Sequence, residues 1–219
     1  MGDTLDNLSW FGHASFLLEN KSGKKFYFVD PFDLKRSPKD KADAIFITHA
    51  HYDHWSPNDI RKLIKPDTVV VATSGCENLN LPNNAFMIVG PNRIITVAGI
   101  RIKTVPAYNV KPDRITFHPK ENNWVGYIFE VGESRIYHAG DTDFIPEMRS
   151  LTDIDVAMLP IGGTYTMDVK EAIQAANVIK ADVAIPMHYR RLLGEKAKVA
   201  EEEFKAGVKG KVVVLRELS

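Results

Sequence analysis

Three of the chain's seven histidines fall in "THAHYDHWSP", residues 48–57, which sets His49, His51, Asp53 and His54 within six residues. The apolar run "AIFIT" leads straight into this cluster, so a strand should end where the donors begin. Binding groups in such sheets gather at strand C-termini. In extended backbone, residues two apart point to one side, so His49, His51 and Asp53 can converge while His54 turns toward a second ion. Imidazole and carboxylate donors suit Zn²⁺, Fe²⁺ or Mn²⁺. A polar strand-to-helix loop needs one histidine as a cap or surface group. Four donors after a buried strand point to a metal.

The elements that must position this cluster are short β-rich runs: "SFLLE", "KFYFVD", "AIFITH", "TVVVAT", "AFMIVG", "RIITV", "RIKTVPA", "VGYIFEV", "SRIYHAG", "VAMLPIG", "VAIPMH" and "KVVVLREL". "NKSGKK", "VAGI" and "VGES" predict hairpin turns. Helices are expected at "SPNDIRKLI", with Ser56 as N-cap and Asp59 completing a capping box, and at "MDVKEAIQAANVIK", capped by Asp168 and Glu171. Two more are expected at "KAKVAEEEFKAGV", with Glu201 to Glu203 on a solvated face, and at "FIPEMRSL". The stretch 108–123, "YNVKPDRITFHPKENN", reads as one long loop, a feature that often lies over a functional site. Hairpins mixed with strand–helix alternation predict mixed sheets covered by helices. No low-complexity linker divides the 219 residues, and a single domain over 1–219 is expected.

Composition narrows the function classes. Lys plus Arg and Asp plus Glu are 28 each, which leaves no overall footprint for nucleic acid. No run approaches the ~18 apolar residues of a membrane span. The first residues lack a basic region followed by an apolar run, and Asp6 breaks the myristoylation pattern that Gly2 could begin. The single cysteine, Cys76, forbids an intrachain disulfide. A cytoplasmic protein acting on a small molecule is expected, with a homo-oligomer left open.

His-x-His-x-Asp-His resembles the signature of the metallo-β-lactamase-fold hydrolases. "WFGHASFLLE" with "VDPF" is similar to that superfamily's opening strands, "IYHAGDTDF" to its Gly-Asp-Thr motif, "LPIGGTYTMDVKEA" to a later loop and "IPMHY" to its final histidine motif, in the expected order over residues 9–189. These versions look most like the branch containing ascorbate-phosphate lactonases and N-acylphosphatidylethanolamine phospholipase D. The resemblance implies an α/β fold, a four-layer αββα sandwich, holding two divalent ions, Zn²⁺ first with Mn²⁺ or Fe²⁺ as alternatives. It implies His49 and His51 on one ion, Asp53, His54 and His188 on the other, and Asp141 bridging both. Two further apolar strands, "SRIYHAGDT" and "VAIPMHY", end in these donors, so all can meet along one sheet edge.

The chain departs from the pattern at one ligand. The family's third histidine for the first ion should follow "VPA", where Tyr108 and Asn109 stand instead. His118 in "TFHPKEN" is the only histidine between His54 and His138, and we expect it to substitute; water, Asn109 or a mononuclear centre are the alternatives. His13 and His138 are expected to orient ligands rather than bind, and Cys76 to pack as a small apolar group. Two ions sharing a water would make hydroxide near neutral pH, with Asp53 as the proton-transfer residue, and would hydrolyse an ester, lactone or phosphodiester. Lys111, Arg114, Lys120, Tyr165, Arg190 and Arg191 are expected around the mouth, with Tyr165 and Arg190 as substrate contacts favouring an anionic molecule. A nuclease, or a mononuclear iron persulfide-type oxidase of the same fold, are the competing functions.

Overall fold

In the computed structural model, which describes residues 5–21, 24–36, 38–77, 79 and 85–218, thirteen strands form two sheets. The first holds β1 (Leu8–Trp10), β2 (Phe16–Asn20), β3 (Lys25–Val29), β4 (Ala44–Phe46), β5 (Val69–Ala72) and β6 (Phe86–Ile88) in sequence order. The second holds β7 (Ile94–Val97), β8 (Ile100–Pro106), β9 (Val125–Val131), β10 (Ser134–His138), β11 (Val156–Pro160), β12 (Val183–Met187) and β13 (Lys211–Val212). Each sheet begins as an antiparallel meander and becomes parallel, at β3–β4 and at β10–β11. Parallel neighbours need crossovers. The α-helical ones are α1 (Pro57–Leu63) between β4 and β5, α2 (Val169–Ile179) between β11 and β12, and α3 (Arg190–Leu193) with α4 (Ala197–Gly207) before β13.

Strand alternation sets the layers. Phe16 and Leu18 face the core shared with the second sheet while Leu17 faces α1; Tyr27 and Val29 divide from Phe28, and Ala44 and Phe46 from Ile45, in the same way. Ile60 and Leu63 of α1 are buried with Phe28, Ile45 and Val70 of the sheet. On the far side, Ala172, Ala175, Ala176 and Ile179 of α2 and Phe204 of α4 are buried against the second sheet. Helix, sheet, sheet, helix: the fold is an αββα sandwich.

Local chemistry follows the expected signals at most boundaries. Ala98 and Gly99 turn the β7–β8 hairpin with φ of 49° and 84°, the left-handed pair such a turn demands. Ser22 and Gly23 of "NKSGKK" lie outside the described residues, although β2 and β3 pair as a hairpin requires. Asp168 and Glu171 form a reciprocal capping box on α2. Three expectations need correction. "FIPEMRSL" forms only a five-residue 3₁₀ turn, Pro146–Ser150, opened by Pro146 and without a side-chain cap. "KVVVLREL" stays in the sheet only for Lys211–Val212, after which the chain crosses to β1 and Glu217 bridges to Trp10. Glu201 is not merely solvated, since it accepts hydrogen bonds from Tyr189 and Arg190. Among the described residues, no helix is long and apolar enough to cross a membrane.

Candidate metal centre

The parallel registers Val29↔Phe46, His138↔Met158 and Pro160↔Met187 bring strand C-termini to common levels, and polar residues lie just past the ends of β3, β4, β10 and β12: Asp30, Thr48–His49, Asp141 and His188. The buried carboxylate of Asp30 organises the first cluster. It accepts Thr48 N at 2.8 Å, Thr48 Oγ1 at 2.7 Å and His54 Nδ1 at 2.8 Å, so one residue fixes both ends of the His49–His54 loop. Since the Thr48 hydroxyl proton goes to Asp30, His49 Nδ1–H must donate to Thr48 Oγ1 (2.9 Å), which leaves the His49 Nε2 lone pair facing inward. His54 is oriented by the same rule.

Four imidazoles face the carboxylate of Asp141. Its Oδ2 lies 3.1 Å from His188 Nε2, 3.3 Å from His118 Nε2 and 3.9 Å from His49 Nε2, while Oδ1 lies 3.4 Å from His54 Nε2. Donor atoms within 4.8 Å of one another form three groups: His49, His51 and His118; His13, Asp53, His54 and His188; and His49, His54 and Asp141 between them. His54 Nε2, His118 Nε2, His188 Nε2 and Asp141 Oδ1 are buried without a hydrogen-bond partner. Buried polar atoms ordinarily find partners, so orphaned atoms aimed into one volume fit a cation. Nitrogen and carboxylate oxygen without thiolate suit Zn²⁺, Fe²⁺ or Mn²⁺. The His/Asp cluster is able to bind metal.

Electrostatics agree with that fit. Burial pushes the Asp141 carboxyl upward, but His188 and His54 outweigh it and hold the group well below the usual carboxylate range. For His54 burial opposes charge, yet Asp141 and Asp30 draw it well above its ordinary value; that demand for positive charge can be met by a proton or a metal ion. Burial lowers His49 and His51, with His54 and His118 respectively adding repulsion, and so favours the neutral imidazole that ligates. Burial brings His13 to about 4. Neutral His13 donates from Nε2 to Asp53 Oδ2 at 3.0 Å, orienting a carboxylate that burial would raise but this hydrogen bond and His54 hold low. His13 and His188 both take left-handed backbone, φ 50° and 55°, and are joined by His188 N donating to His13 O at 3.0 Å.

The long loop carries His118 into the centre. Asn109, where the resemblance led us to expect a histidine, faces His118, whose Nδ1 donates to Asn109 Oδ1 at 2.7 Å. The Asn109 amide cannot be turned round, because its Nδ2 donates to Asp143 Oδ1 at 2.9 Å and to the Tyr165 carbonyl at 3.1 Å, both acceptors only. Asn109 therefore fixes the His118 tautomer with the Nε2 lone pair toward Asp141. Asp143, fully buried, also accepts Val110 N at 2.8 Å, Lys111 N at 3.0 Å and Arg114 Nε at 2.5 Å. Arg114 in turn holds Gly163 O and Glu171. His138 uses both ring nitrogens, on Ala14 O and Gly140 N, beside Asp141. Cys76 is buried in the apolar layer under α1, its thiol pushed up to about 11 by burial.

A cavity of about 310 Å³ opens over the donors, lined by His51, Asp53, His118, Asp141 and His188 and rimmed by Tyr52, Phe117, Tyr165, Arg191 and Leu192. Tyr165 is part of this rim. Arg190 does not line this cavity: its guanidinium stacks 4.6 Å over Trp10 and pairs with Glu201 at 3.0 Å, and Arg191 faces the site instead. Asp30 and Asp143 are organisers with no place in the sequence-based site; Asn109, weighed there as an alternative ligand, instead orients His118, and His13, expected to orient ligands, also joins a donor group. The carboxylate directly after the apolar run in "VDPF" was the available signal for Asp30.

A family model described as a β-lactamase superfamily domain matches residues 7–188. The chain belongs to the metallo-β-lactamase superfamily. It is 35% identical to a UPF0173 metal-dependent hydrolase of Thermoplasma acidophilum over 98% of this chain and 97% of that one. A UPF0173 metal-dependent hydrolase of Pyrococcus abyssi is 34% identical over 95% and 96%. Among solved structures, a candidate metal-dependent hydrolase from Parabacteroides distasonis superposes with a TM-score of 0.78 at 32% identity, covering 97% of this chain and 93% of that one. This superfamily member is a metal-dependent hydrolase.

Proposed function

We propose that the chain is a binuclear hydrolase of small esters, lactones or phosphodiesters, with His49, His51 and His118 holding one divalent ion, Asp53, His54 and His188 the other, and Asp141 both. Zn²⁺ suits the donor set best, and Mn²⁺ or Fe²⁺ also fit it. When bound, such ions supply a Lewis acid and lower the pKa of water from 15.7 to about 7. The single observation that carries this proposal is the Asp141 carboxylate facing four imidazoles from three different segments. His118 beside His49 and His51 supports two ions over a mononuclear iron centre. Asp53, half-exposed to the cavity and held by His13, is the group available to orient an attacking water and take its proton. The cavity favours a small molecule over a polymer, being at the low end of the ~300–1,000 Å³ of small-molecule sites.

Metal analysis combined with activity screening tests the proposal. Protein loaded with Zn²⁺ or Mn²⁺ should carry two ions per chain and turn over members of a panel of phosphodiesters, lactones and thioesters. One ion per chain, or an inert loaded protein, would overturn it.

A further inference from the structure

The rim of the cavity is aromatic, and the cations expected there are committed elsewhere. Lys111 pairs with Glu171 at 3.0 Å, Arg114 with Asp143 at 2.5 Å, Lys120 with Glu147 at 3.5 Å and Arg190 with Glu201 at 3.0 Å. Arg191 is the one of these cations that lines the cavity, and it already holds Asp33 at 2.7 Å while lying 4.9 Å over Phe32. Against this single shared charge stand large apolar surfaces left open to solvent. Tyr52 is 78% exposed, Tyr165 38% and Phe117 37%, and all three line the mouth with Leu192. Phe117 and Tyr165 meet edge to face at 4.8 Å, which sets two rings as adjoining walls rather than loose surface groups. Exposed aromatics grouped at a cavity mark a binding surface, since apolar area gathers there only at a cost in water.

We infer that the substrate is a small molecule with at most one negative charge, whose apolar or aromatic group lies on Tyr52, Phe117, Tyr165 and Leu192 while its reacting bond sits over Asp141. This rests on the hydrolase proposed above and names its substrate class. It sets aside the multiply charged anion that the basic residues of the sequence suggested, because beyond the ions at the reacting bond the rim offers a further phosphate charge only one partly neutralised guanidinium. A ring or acyl chain would be sheltered on three aromatic faces.

Two measurements on the full chain test the inference. In the metal-loaded enzyme, p-nitrophenyl hexanoate should exceed p-nitrophenyl acetate in kcat/KM by about tenfold or more, since each buried methylene favours binding several-fold. Bis(p-nitrophenyl) phosphate, a monoanion, should exceed dianionic p-nitrophenyl phosphate by a similar factor. Phe117→Ala and, as a second variant leaving the Tyr165 carbonyl in place, Tyr165→Ala should each bring the hexanoate-to-acetate ratio toward unity. Equal rates along the acyl series, or preference for the dianion, would overturn the inference. Independently of turnover, the fluorescent monoanion 1-anilinonaphthalene-8-sulfonate should bind folded wild type and bind either variant at least about fivefold more weakly. Binding without hydrolysis of any compound would overturn the hydrolase proposal and uphold this one; affinity unchanged by both variants would overturn this one.

Discussion

Asp141 and His118 carry opposite kinds of demand, and their variants should separate them. Asp141 faces imidazoles of both donor groups, so Asp141→Ala should lose both metal occupancy and activity, the latter by about a hundredfold or more. Two ions per chain with wild-type rates in that variant would end the binuclear scheme. His118 sits in one donor group only, so His118→Ala should weaken one ion and leave the other nearly untouched, read by titration of the chelated protein. Asn109 makes a sharper case. It has no lone pair aimed at the centre, because its oxygen accepts from His118, yet its loss should release the His118 ring. Asn109→Leu should cost about 10–100-fold in affinity for one ion, the range for residues that orient ligands. Nitrogen NMR of His118 should show the Nδ1–H tautomer in wild type and a mixture in the variant; an unchanged tautomer would refute the role.

At the scale of elements, the loop 108–123 behaves as part of the scaffold because one buried carboxylate ties it down. Asp143 accepts four donors from that loop, among them Arg114, which is itself buried. Asp143→Ala leaves a guanidinium short of its partner in the interior, a loss of about 3–5 kcal/mol. For a chain of this size that is a fall in Tm of roughly 10 °C. The double variant Asp143→Ala/Arg114→Met should recover part of the loss; a thermal scan showing no recovery would mean that the backbone amides, not the ion pair, set the cost. Much of this machinery was legible beforehand and some was not. Four donors within six residues declare themselves, because local spacing and a preceding apolar strand are enough to bring them together. Asp30, Asp143 and His13 act across 24, 34 and 40 residues of chain, as partners of His54, Asn109 and Asp53, and no local pattern marks such pairs. Arg190 was misplaced for a related reason: adjacent residues diverge, and only packing against Trp10 decides that Arg190 turns inward to the aromatic layer while Arg191 faces the cavity.

The molecule as a whole should be most stable near neutral pH once stripped of metal. His13, brought to about 4 mainly by burial, is neutral when folded and protonates in the unfolded chain below about 6.5. Its contribution is therefore full above 6.5 and is lost as pH falls toward 4, up to about 3 kcal/mol. His54 has the opposite sign: raised when folded, it stabilises below 6.5 and loses that contribution as pH rises toward its folded value. Denaturant titrations of chelated protein from pH 4 to 9 should show a maximum between these limbs, and His13→Gln should flatten the acid limb; a monotonic curve would contradict both assignments. His13 and His188 hold left-handed backbone, which costs a side chain roughly 1–2 kcal/mol and glycine far less. His13→Gly or His188→Gly would relieve that strain while deleting a donor. A library of this gene sorted for foldedness alone, by protease resistance or heat, would accumulate glycine at both positions and drift toward well-behaved, inert descendants. Histidine persists there only under selection for catalysis.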